Sequence, residues 1–164
     1  MNDSVVIDTG FLISLSDKTR FAHETAKRYY KHFIENKITM LLPTVVVAEY
    51  FSKENVPELP LHNFRVLPFN YADACCCGAL NAVREYKELK AGSRPAVKDD
   101  FKIIAQAYVS QSKFLLTEDN NTMAVYCSKL AKDSKVKFRV IPLSEPFDVS
   151  FVNDDRQMHM CGEE

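Results

Sequence analysis

The sequence lacks several features that would place it in a special class of proteins. No apolar run is long enough to span a membrane. No basic region precedes the apolar stretch MNDSVVIDTGFLISL, so we do not expect a secretory signal. Internal repeats, low-complexity runs and interdomain linkers are also missing. The 164 residues, 46% of them hydrophobic, suffice for one ordinary globular domain with its own core.

The cysteines form neither a disulfide framework nor a zinc motif. There are five of them, which is an odd number, and three are adjacent in the segment CCCG. In a helix these three side chains would point in three directions, whereas a structural zinc site uses spaced pairs of ligands. We therefore interpret the cysteines as small packing residues and expect a cytoplasmic protein with reduced thiols.

The net charge of −1 hides an uneven distribution along the chain. From Ser144 onward there are six acidic residues and one arginine, a balance of −5, whereas the preceding part carries 20 basic and 16 acidic residues, or +4. A basic body is compatible with a phosphate-binding surface. We therefore predict a domain of residues 1–142, followed by a polar acidic tail of residues 143–164 whose part after Phe151 is dispensable for folding.

Apolar patterns predict alternating strands and helices. Short apolar runs predict strands at residues 4–8, 38–42, 64–69, 113–117 and 138–142. Helical spacing predicts helices at residues 20–36, 70–89, 96–111 and 121–133. This order predicts an α/β fold with a parallel sheet of about five strands covered by helices on both faces, which is a three-layer α/β/α arrangement.

The segment TVVVAEYFS at residues 44–52 fits two structures. Its three valines favour a strand, whereas a threonine after proline can begin a helix. A strand that continues the preceding one directly through Pro43 is unfavourable in a buried sheet. We therefore predict a helix here.

Acidic residues recur where such a sheet would bind ligands. Asp8 ends the first strand and Asp119 follows the fourth, so both lie at carboxyl ends of strands, where open α/β sheets bind their ligands. If these two strands are neighbours, the two carboxylates face one crevice. In a helix Glu49 shares the apolar face of Val45 and Val46, so we expect it to point inward.

The neighbouring acids Asp99 and Asp100 are predicted to differ. In a helix Asp100 begins an apolar stripe that consists of Ile103, Ile104 and Ala107. Asp99 lies on what we expect to be the outer face, with Lys102 and Gln106. Because isolated buried carboxylates are costly, a buried acid usually has a cation or a shared proton nearby.

Each of these acids also has a simpler structural interpretation. Asp8 can cap the turn that follows it, and Asp119 can be a turn residue or a helix cap. Glu49 can pair with a basic side chain. Asp100 can complement the dipole at a helix start. No single position therefore decides between a structural and a functional role.

Taken together, four segments resemble the acidic motifs of one known family. VVIDTGFLISL, LLPTVVVAEY, VKDDFKIIAQA and FLLTEDNN are similar, in this order, to the four motifs of PIN-domain proteins, and the resemblance covers residues 4–141. PIN domains resemble flap endonucleases in fold and cleave RNA with Mg²⁺ or Mn²⁺. In bacteria and archaea most of them are VapC-type toxins of toxin–antitoxin pairs. The resemblance implies a metal-dependent ribonuclease that forms a homodimer and, if it is a toxin, binds an antitoxin.

Carried over by position, the resemblance also implies roles for particular residues. The metal-binding and catalytic set is Asp8, Glu49, Asp100 and Asp119. Thr9 and Thr117 match hydroxyl residues of the family's motifs and are auxiliary candidates. Apart from the resemblance, Asp99 and Asn121 are further auxiliary candidates because they lie close to these acids in the sequence, and Arg94, Lys98 and Lys102 are candidates for holding phosphates. An acidic set without cysteine or histidine suits Mg²⁺ or Mn²⁺, because hard divalent ions take oxygen ligands.

Other functions remain open from the sequence. A PIN-like module can bind RNA or a protein partner without using its acidic site, and a nuclease enzyme can process RNA rather than act as a toxin. A phosphotransfer enzyme on a similar sheet fits less well. A haloacid-dehalogenase-like phosphatase has DxDx[TV] after its first strand, whereas this chain has DTGFL with a single aspartate.

Overall fold

The computed structural model describes residues 3–53, 60–82, 94–119, 121–132 and 137–152, which form five strands and six α-helices. The strands are β1 (Ser4–Ile7), β2 (Thr39–Pro43), β3 (Phe64–Leu67), β4 (Phe114–Thr117) and β5 (Arg139–Pro142). The helices are α1 (Thr9–Ser16), α2 (His23–Glu35), α3 (Thr44–Phe51), α4 (Tyr71–Ala82), α5 (Arg94–Val109) and α6 (Met123–Lys132). Two 3₁₀ turns lie at Leu61–Asn63 and Val149–Phe151.

The five strands form one parallel sheet in the order β3-β2-β1-β4-β5. The central strand β1 places Val6 in register with Leu41 of β2 and Leu115 of β4. The chain first builds the sheet outward from β1 to β2 and β3, and then crosses to β4 and β5 on the other side. The carboxyl ends of β1 and β4 therefore meet at the point where strand order reverses, which is where such sheets bind ligands.

Burial along the strands explains their apolar sequences. Val5, Val6 and Ile7 of β1 are fully buried, and all four residues of β4 are buried as well. In the edge strand β3, by contrast, Arg65 and Val66 are exposed. Strands covered on both faces need continuous apolar runs rather than alternation. The predicted three-layer α/β/α fold with a parallel sheet of five strands is confirmed.

Most predicted elements agree with the structure, and one helix was missed. The five strands end within two residues of their predicted bounds, and the segment after Pro43 is the helix α3. The missed element is α1, a two-turn helix that follows β1 after a single residue. The helix predicted at residues 70–89 is described only as far as Ala82. No helix in the described ranges is long and apolar enough to cross a membrane.

The chain continues to pack against the domain after β5. Leu143 and Val152 are buried, and Phe147 makes an edge contact with Tyr29 of α2 at 4.7 Å between ring centroids. Arg139 donates hydrogen bonds to two backbone carbonyls of the same segment. The packed part of the chain thus extends past the predicted boundary at residue 142, whereas residues 153–164 lie outside the described residues.

A chain that ends after Pro142 should be much less stable than one that ends after Val152. The shorter chain lacks the buried side chains of Leu143 and Val152 and the ring of Phe147. Because a fully buried large apolar side chain contributes about 1.5–3 kcal/mol, we expect a decrease of several kcal/mol in urea unfolding. The chain ending at Val152 is the matched control and should unfold like the full chain. Equal stability of both shortened chains would contradict the role given to this segment.

Candidate active site

Asp8 is fixed at the carboxyl end of β1 by three hydrogen bonds. Its backbone N–H donates to the carbonyl of Leu116 in β4 at 3.1 Å. Its Oδ1 accepts from the N–H of Thr9 at 2.7 Å, and its Oδ2 accepts from the hydroxyl of Thr117 at 2.7 Å. The residue is only 8% exposed. Asp8 is therefore the N-cap of α1 and at the same time a buried carboxylate at the switch point of the sheet.

Thr117 joins Asp8 to Asp119. Its hydroxyl oxygen accepts a hydrogen bond from the N–H of Asp119 at 2.9 Å while its proton goes to Asp8. The Oδ1 of Asp119 in turn accepts from the backbone N–H groups of Asn121 and Thr122 at 2.8 and 2.9 Å. Asp119 thus caps the turn before α6, and Asn121 contacts the site through its backbone N–H.

Glu49 reaches the site from α3 but is not buried. Its Oε2 accepts a hydrogen bond from the hydroxyl of Thr9 at 2.6 Å. The expectation that Glu49 points into the core is wrong, because the residue is exposed. Val46 and Tyr50 occupy the buried stripe of this two-turn helix, and Glu49 lies beside that stripe at the rim. The sequence spacing therefore placed Glu49 in a helix next to its buried stripe but did not show its exposure to solvent.

Thr122 connects Asp100 to Asp119. Its hydroxyl oxygen lies 3.1 Å from Oδ2 of Asp100 and also forms a hydrogen bond with Oδ2 of Asp119. Because a hydroxyl has one proton, it can donate to only one of the two carboxylates at a time. Thr122 was not among the residues predicted from the sequence. Its position directly before α6, where threonine is a favoured capping residue, was the available signal.

Asp99 pairs with Lys102, a residue with which it was predicted to share a helix face. It forms an ion pair with Lys102 at 2.8 Å, and the two side chains are 38% and 39% exposed. Lys102 is therefore engaged with Asp99, and the side chains of Arg94 and Lys98 lie outside the described residues. Gln106, which helical spacing places on the same face, is not exposed as an outer face implies. Gln106 is fully buried because α4 packs on α5, and it donates to the carbonyl of Leu67 at 3.0 Å.

The two most buried acids of the group carry raised pKa values. Burial raises the pKa of Asp8 to about 6, and the charges of Glu49 and Asp119 add to the increase. Hydrogen bonds from Thr117 and Thr9 lower this pKa but do not outweigh burial. Burial likewise raises the pKa of Asp100 to about 7, with further increases from the charges of Asp8, Asp119 and Glu49. Asp100 therefore interacts with the other three acids, and Asp8 with Glu49 and Asp119 as well, so the structure brings the four side chains into one neighbourhood.

Asp119 differs from these two acids, although it belongs to the same cluster. Burial alone would raise its pKa, but hydrogen bonds from Thr122 and from three backbone N–H groups outweigh burial and hold the pKa below its usual value. Cys127 of α6 lies beneath the cluster. Burial raises the pKa of its thiol, and the charges of Asp100 and Asp8 raise it further, so this cysteine is a neutral packing residue.

Gly10 allows the first turn of α1 to approach the loop after β4. A Cβ atom at this position would lie 2.8 Å from the Cβ of Glu118, which only a backbone shift could relieve. Glu118 also accepts a hydrogen bond from Ser14 at 3.1 Å and forms an ion pair with Arg20. These contacts hold the loop that carries Asp119 against α1. Neither Glu118 nor Arg20 was predicted from the sequence.

The donor set fits a hard divalent cation. Within the described part of the chain, no three acidic, histidine or cysteine side chains are arranged to hold a metal ion. Each of the four acids instead lies within hydrogen-bond distance of a threonine hydroxyl. Their ligand atoms are all oxygens. A cation among them would offset the burial that raises the pKa of Asp8 and Asp100, and the repulsion from the neighbouring acids that adds to it.

The stability of the metal-free protein should fall as the pH rises from about 4 to about 7. Asp8 and Asp100 have folded-state pKa values of about 6 and about 7, above the ordinary 3.8, so the folded protein binds protons more tightly than the unfolded chain in this window. The substitution Asp8→Asn should raise metal-free stability at pH 8 by roughly 2 kcal/mol and change it less at pH 5. Urea unfolding in EDTA measures both effects. Strong destabilisation by Asp8→Asn at pH 8 would instead mark Asp8 as a structural cap alone.

Comparisons with known proteins support the architecture. No protein-family model matches the sequence, and a search of curated proteins finds no match. Among solved structures, VapBC2 from Rickettsia felis bound to a promoter DNA fragment matches with a TM-score of 0.59 at 14% identity, covering 84% of this chain and 98% of that one. DNA-bound VapBC from Salmonella typhimurium matches with a TM-score of 0.52 at 15% identity, covering 87% and 99%. Mycobacterium tuberculosis VapC20, a Sarcin-Ricin loop cleaving toxin, has a TM-score of 0.49 at 15% identity, covering 74% and 94%.

At these identities the likeness concerns the fold. The matched chains are covered almost completely, so the similarity extends over a whole domain rather than a shared fragment. Together with the strand order and the acids at the switch point, this shows that the chain has the PIN-domain fold of the VapC proteins.

Proposed function

We propose that this protein is a ribonuclease dependent on Mg²⁺ or Mn²⁺, with Asp8, Glu49, Asp100 and Asp119 as the metal-binding set. The observation that supports the proposal most directly is the mutual interaction of these four acids at the carboxyl ends of β1 and β4. Two of them have raised pKa values, which is the behaviour of carboxyl groups that need a cation to remain ionised together at neutral pH.

The residues of this chain would orient the ligand atoms. A bound Mg²⁺ or Mn²⁺ would activate a water for in-line attack on a phosphodiester and stabilise charge on the leaving oxygen. Thr117 fixes Asp8, and Thr9 holds Glu49 at the rim. Thr122 lies between Asp100 and Asp119 and sets the separation of their carboxylates. Three hydroxyls thus keep the four acids near one another. Because no three of the described side chains are arranged to hold a metal ion, these carboxylates would have to exchange hydroxyl contacts for the cation when it binds.

We extend the proposal to the partners of the protein. The two better structural matches are VapBC complexes on DNA, and we propose that this chain is likewise the toxin of a toxin–antitoxin pair. A homodimer and a cytoplasmic location remain predictions from the family resemblance and from the cysteines. The basic balance of +4 over residues 1–143 is compatible with RNA as the substrate.

The purified protein should cut single-stranded RNA in Mg²⁺ or Mn²⁺ and stop when EDTA is added, because the carboxylates supply no nucleophile of their own. Cleavage of a labelled RNA followed on a denaturing gel measures this. The Asp8→Asn variant, purified in parallel, is the control for contaminating nucleases and should be inactive. Cutting that resists EDTA would overturn the mechanism, and a folded protein that binds RNA without cutting it would indicate a non-catalytic module.

Two adjacent aspartates should respond very differently to the same substitution. Asp100→Asn removes an acid that interacts with the other three, so we expect the rate to fall by at least about a hundredfold. Asp99→Asn removes only an exposed partner of Lys102, and the rate should change by no more than a few-fold. Cleavage rates at saturating Mg²⁺ measure the difference. Equal decreases for the two variants would show that the ligand set includes both positions.

A further inference from the structure

The turn between α1 and α2, formed by residues 17–22 and called here the 17–22 turn, presents an exposed aromatic ring beside two basic residues. Its sequence is DKTRFA. Phe21 is 92% exposed, the highest value among the large hydrophobic residues that the structure describes. Lys18 and Arg20 are exposed as well. An aromatic ring interleaved with cations is the combination that binds single-stranded nucleic acid through stacking and phosphate contacts.

The 17–22 turn is held in one conformation by hydrogen bonds. The carboxylate of Asp17 accepts from the N–H and the hydroxyl of Thr19 at 2.9 and 2.7 Å. The backbone N–H of Arg20 donates to the carbonyl of Asp17 at 3.2 Å. At the end of the turn, Nδ1 of His23 lies 2.9 Å from the carbonyl oxygen of Ser14 in α1. A fixed turn can present a ring to a ligand without a large entropic cost of ordering it.

The 17–22 turn lies at the same end of the sheet as the four acids. Arg20 forms an ion pair with Glu118, which lies between Thr117 and Asp119 in the chain. Phe21 is the next residue after Arg20, so its backbone lies one residue from the ion pair with Glu118. The acids would repel an approaching phosphate backbone, and cations beside them would offset this repulsion.

We propose that the 17–22 turn is a substrate subsite that binds single-stranded RNA next to the acidic cluster. Phe21 stacks on one base and Lys18 contacts a neighbouring phosphate, while Arg20, which is paired with Glu118, adds positive charge beside them. This inference rests on the proposed ribonuclease function and deepens it, because it assigns a binding determinant outside the four acids. Stacking tolerates any base, so the subsite would favour unpaired RNA without selecting a sequence.

Substitutions at Phe21 test the stacking. Binding of a fluorescently labelled single-stranded oligoribonucleotide is measured by anisotropy in EDTA, and KM and kcat are measured for its cleavage in Mg²⁺. Phe21→Leu should weaken binding and raise KM by about fivefold or more, with kcat unchanged, since base stacking on an aromatic ring is worth about 1–3 kcal/mol. Phe21→Tyr keeps a ring and should stay within about twofold of the natural chain. Tyr108→Leu removes an exposed ring at the far end of α5 and is the matched control.

Lys18→Gln tests the charge. It should reduce the slope of log Kd against log salt by about 0.7, the value expected when the protein neutralises one phosphate fewer on a single strand. If the natural chain cuts RNA but Phe21→Leu leaves both Kd and KM unchanged, the subsite is wrong and the ribonuclease stands. The subsite proposal is also wrong, and the ribonuclease proposal unaffected, if Phe21→Tyr and Tyr108→Leu weaken RNA binding as much as Phe21→Leu does. If the natural chain neither binds nor cuts RNA, both proposals fail. Binding without cutting that is weakened by Phe21→Leu would support the subsite and refute only the nuclease.

Discussion

The hydrogen bond from the Thr117 hydroxyl to Asp8 is the interaction on which the site depends. It crosses from the end of β4 to the end of β1, and Thr117 is fully buried. The same oxygen accepts the N–H of Asp119, so one side chain positions two acids from opposite halves of the sheet. A buried carboxylate without such partners would be protonated or displaced. The parallel pairing of β1 with β4 brings these groups within hydrogen-bond distance.

The clustering of acids lowers the free energy of unfolding, and the rest of the fold must offset this loss of stability. Burial and mutual repulsion raise the pKa of Asp8 and Asp100, so the ionised cluster opposes folding when no cation is near. The buried central strands supply a rigid apolar support whose free energy exceeds this cost. Asp119 shows the opposite balance, because backbone N–H groups at the turn before α6 stabilise its charge. The cluster thus contains one acid with a lowered pKa, Asp119, beside two acids with raised pKa values, Asp8 and Asp100.

The sequence predicts the parts of the site that depend on local pattern. Buried strands leave continuous apolar runs, so the ends of β1 and β4, and with them Asp8 and Asp119, could be located from the chain alone. The helix α1 could not, because it has only eight residues and its apolar residues do not form a single stripe at helical spacing. Glu49 was placed in the right helix, but its exposure depends on tertiary packing around that helix, which the spacing does not show.

The remaining features depend on contacts between distant parts of the chain. Gln106 looked like a surface residue because helical spacing cannot show that a second helix covers the outer face of α5. The ion pair of Arg20 with Glu118 joins residues 98 positions apart, and no local sequence pattern predicts it. Thr122 looked like an ordinary residue at the start of a helix. Its second partner, Asp100, lies on α5, so their contact depends on how α5 packs beside the start of α6, which the sequence does not show.

The missed helix α1 is also the element that connects the parts of the site. It begins at Thr9, which donates hydrogen bonds to two of the acids, Asp8 and Glu49, and Gly10 in its first turn lies close to Glu118. At its other end, Ser16 accepts a hydrogen bond from Tyr50 of α3 at 3.3 Å, and the 17–22 turn follows directly. The eight residues of α1 thus join Asp8 and Thr9 at one end to the 17–22 turn at the other. A displacement of this helix would change the position of Asp8 and of the Thr9 hydroxyl relative to Glu49, and would move the 17–22 turn with them.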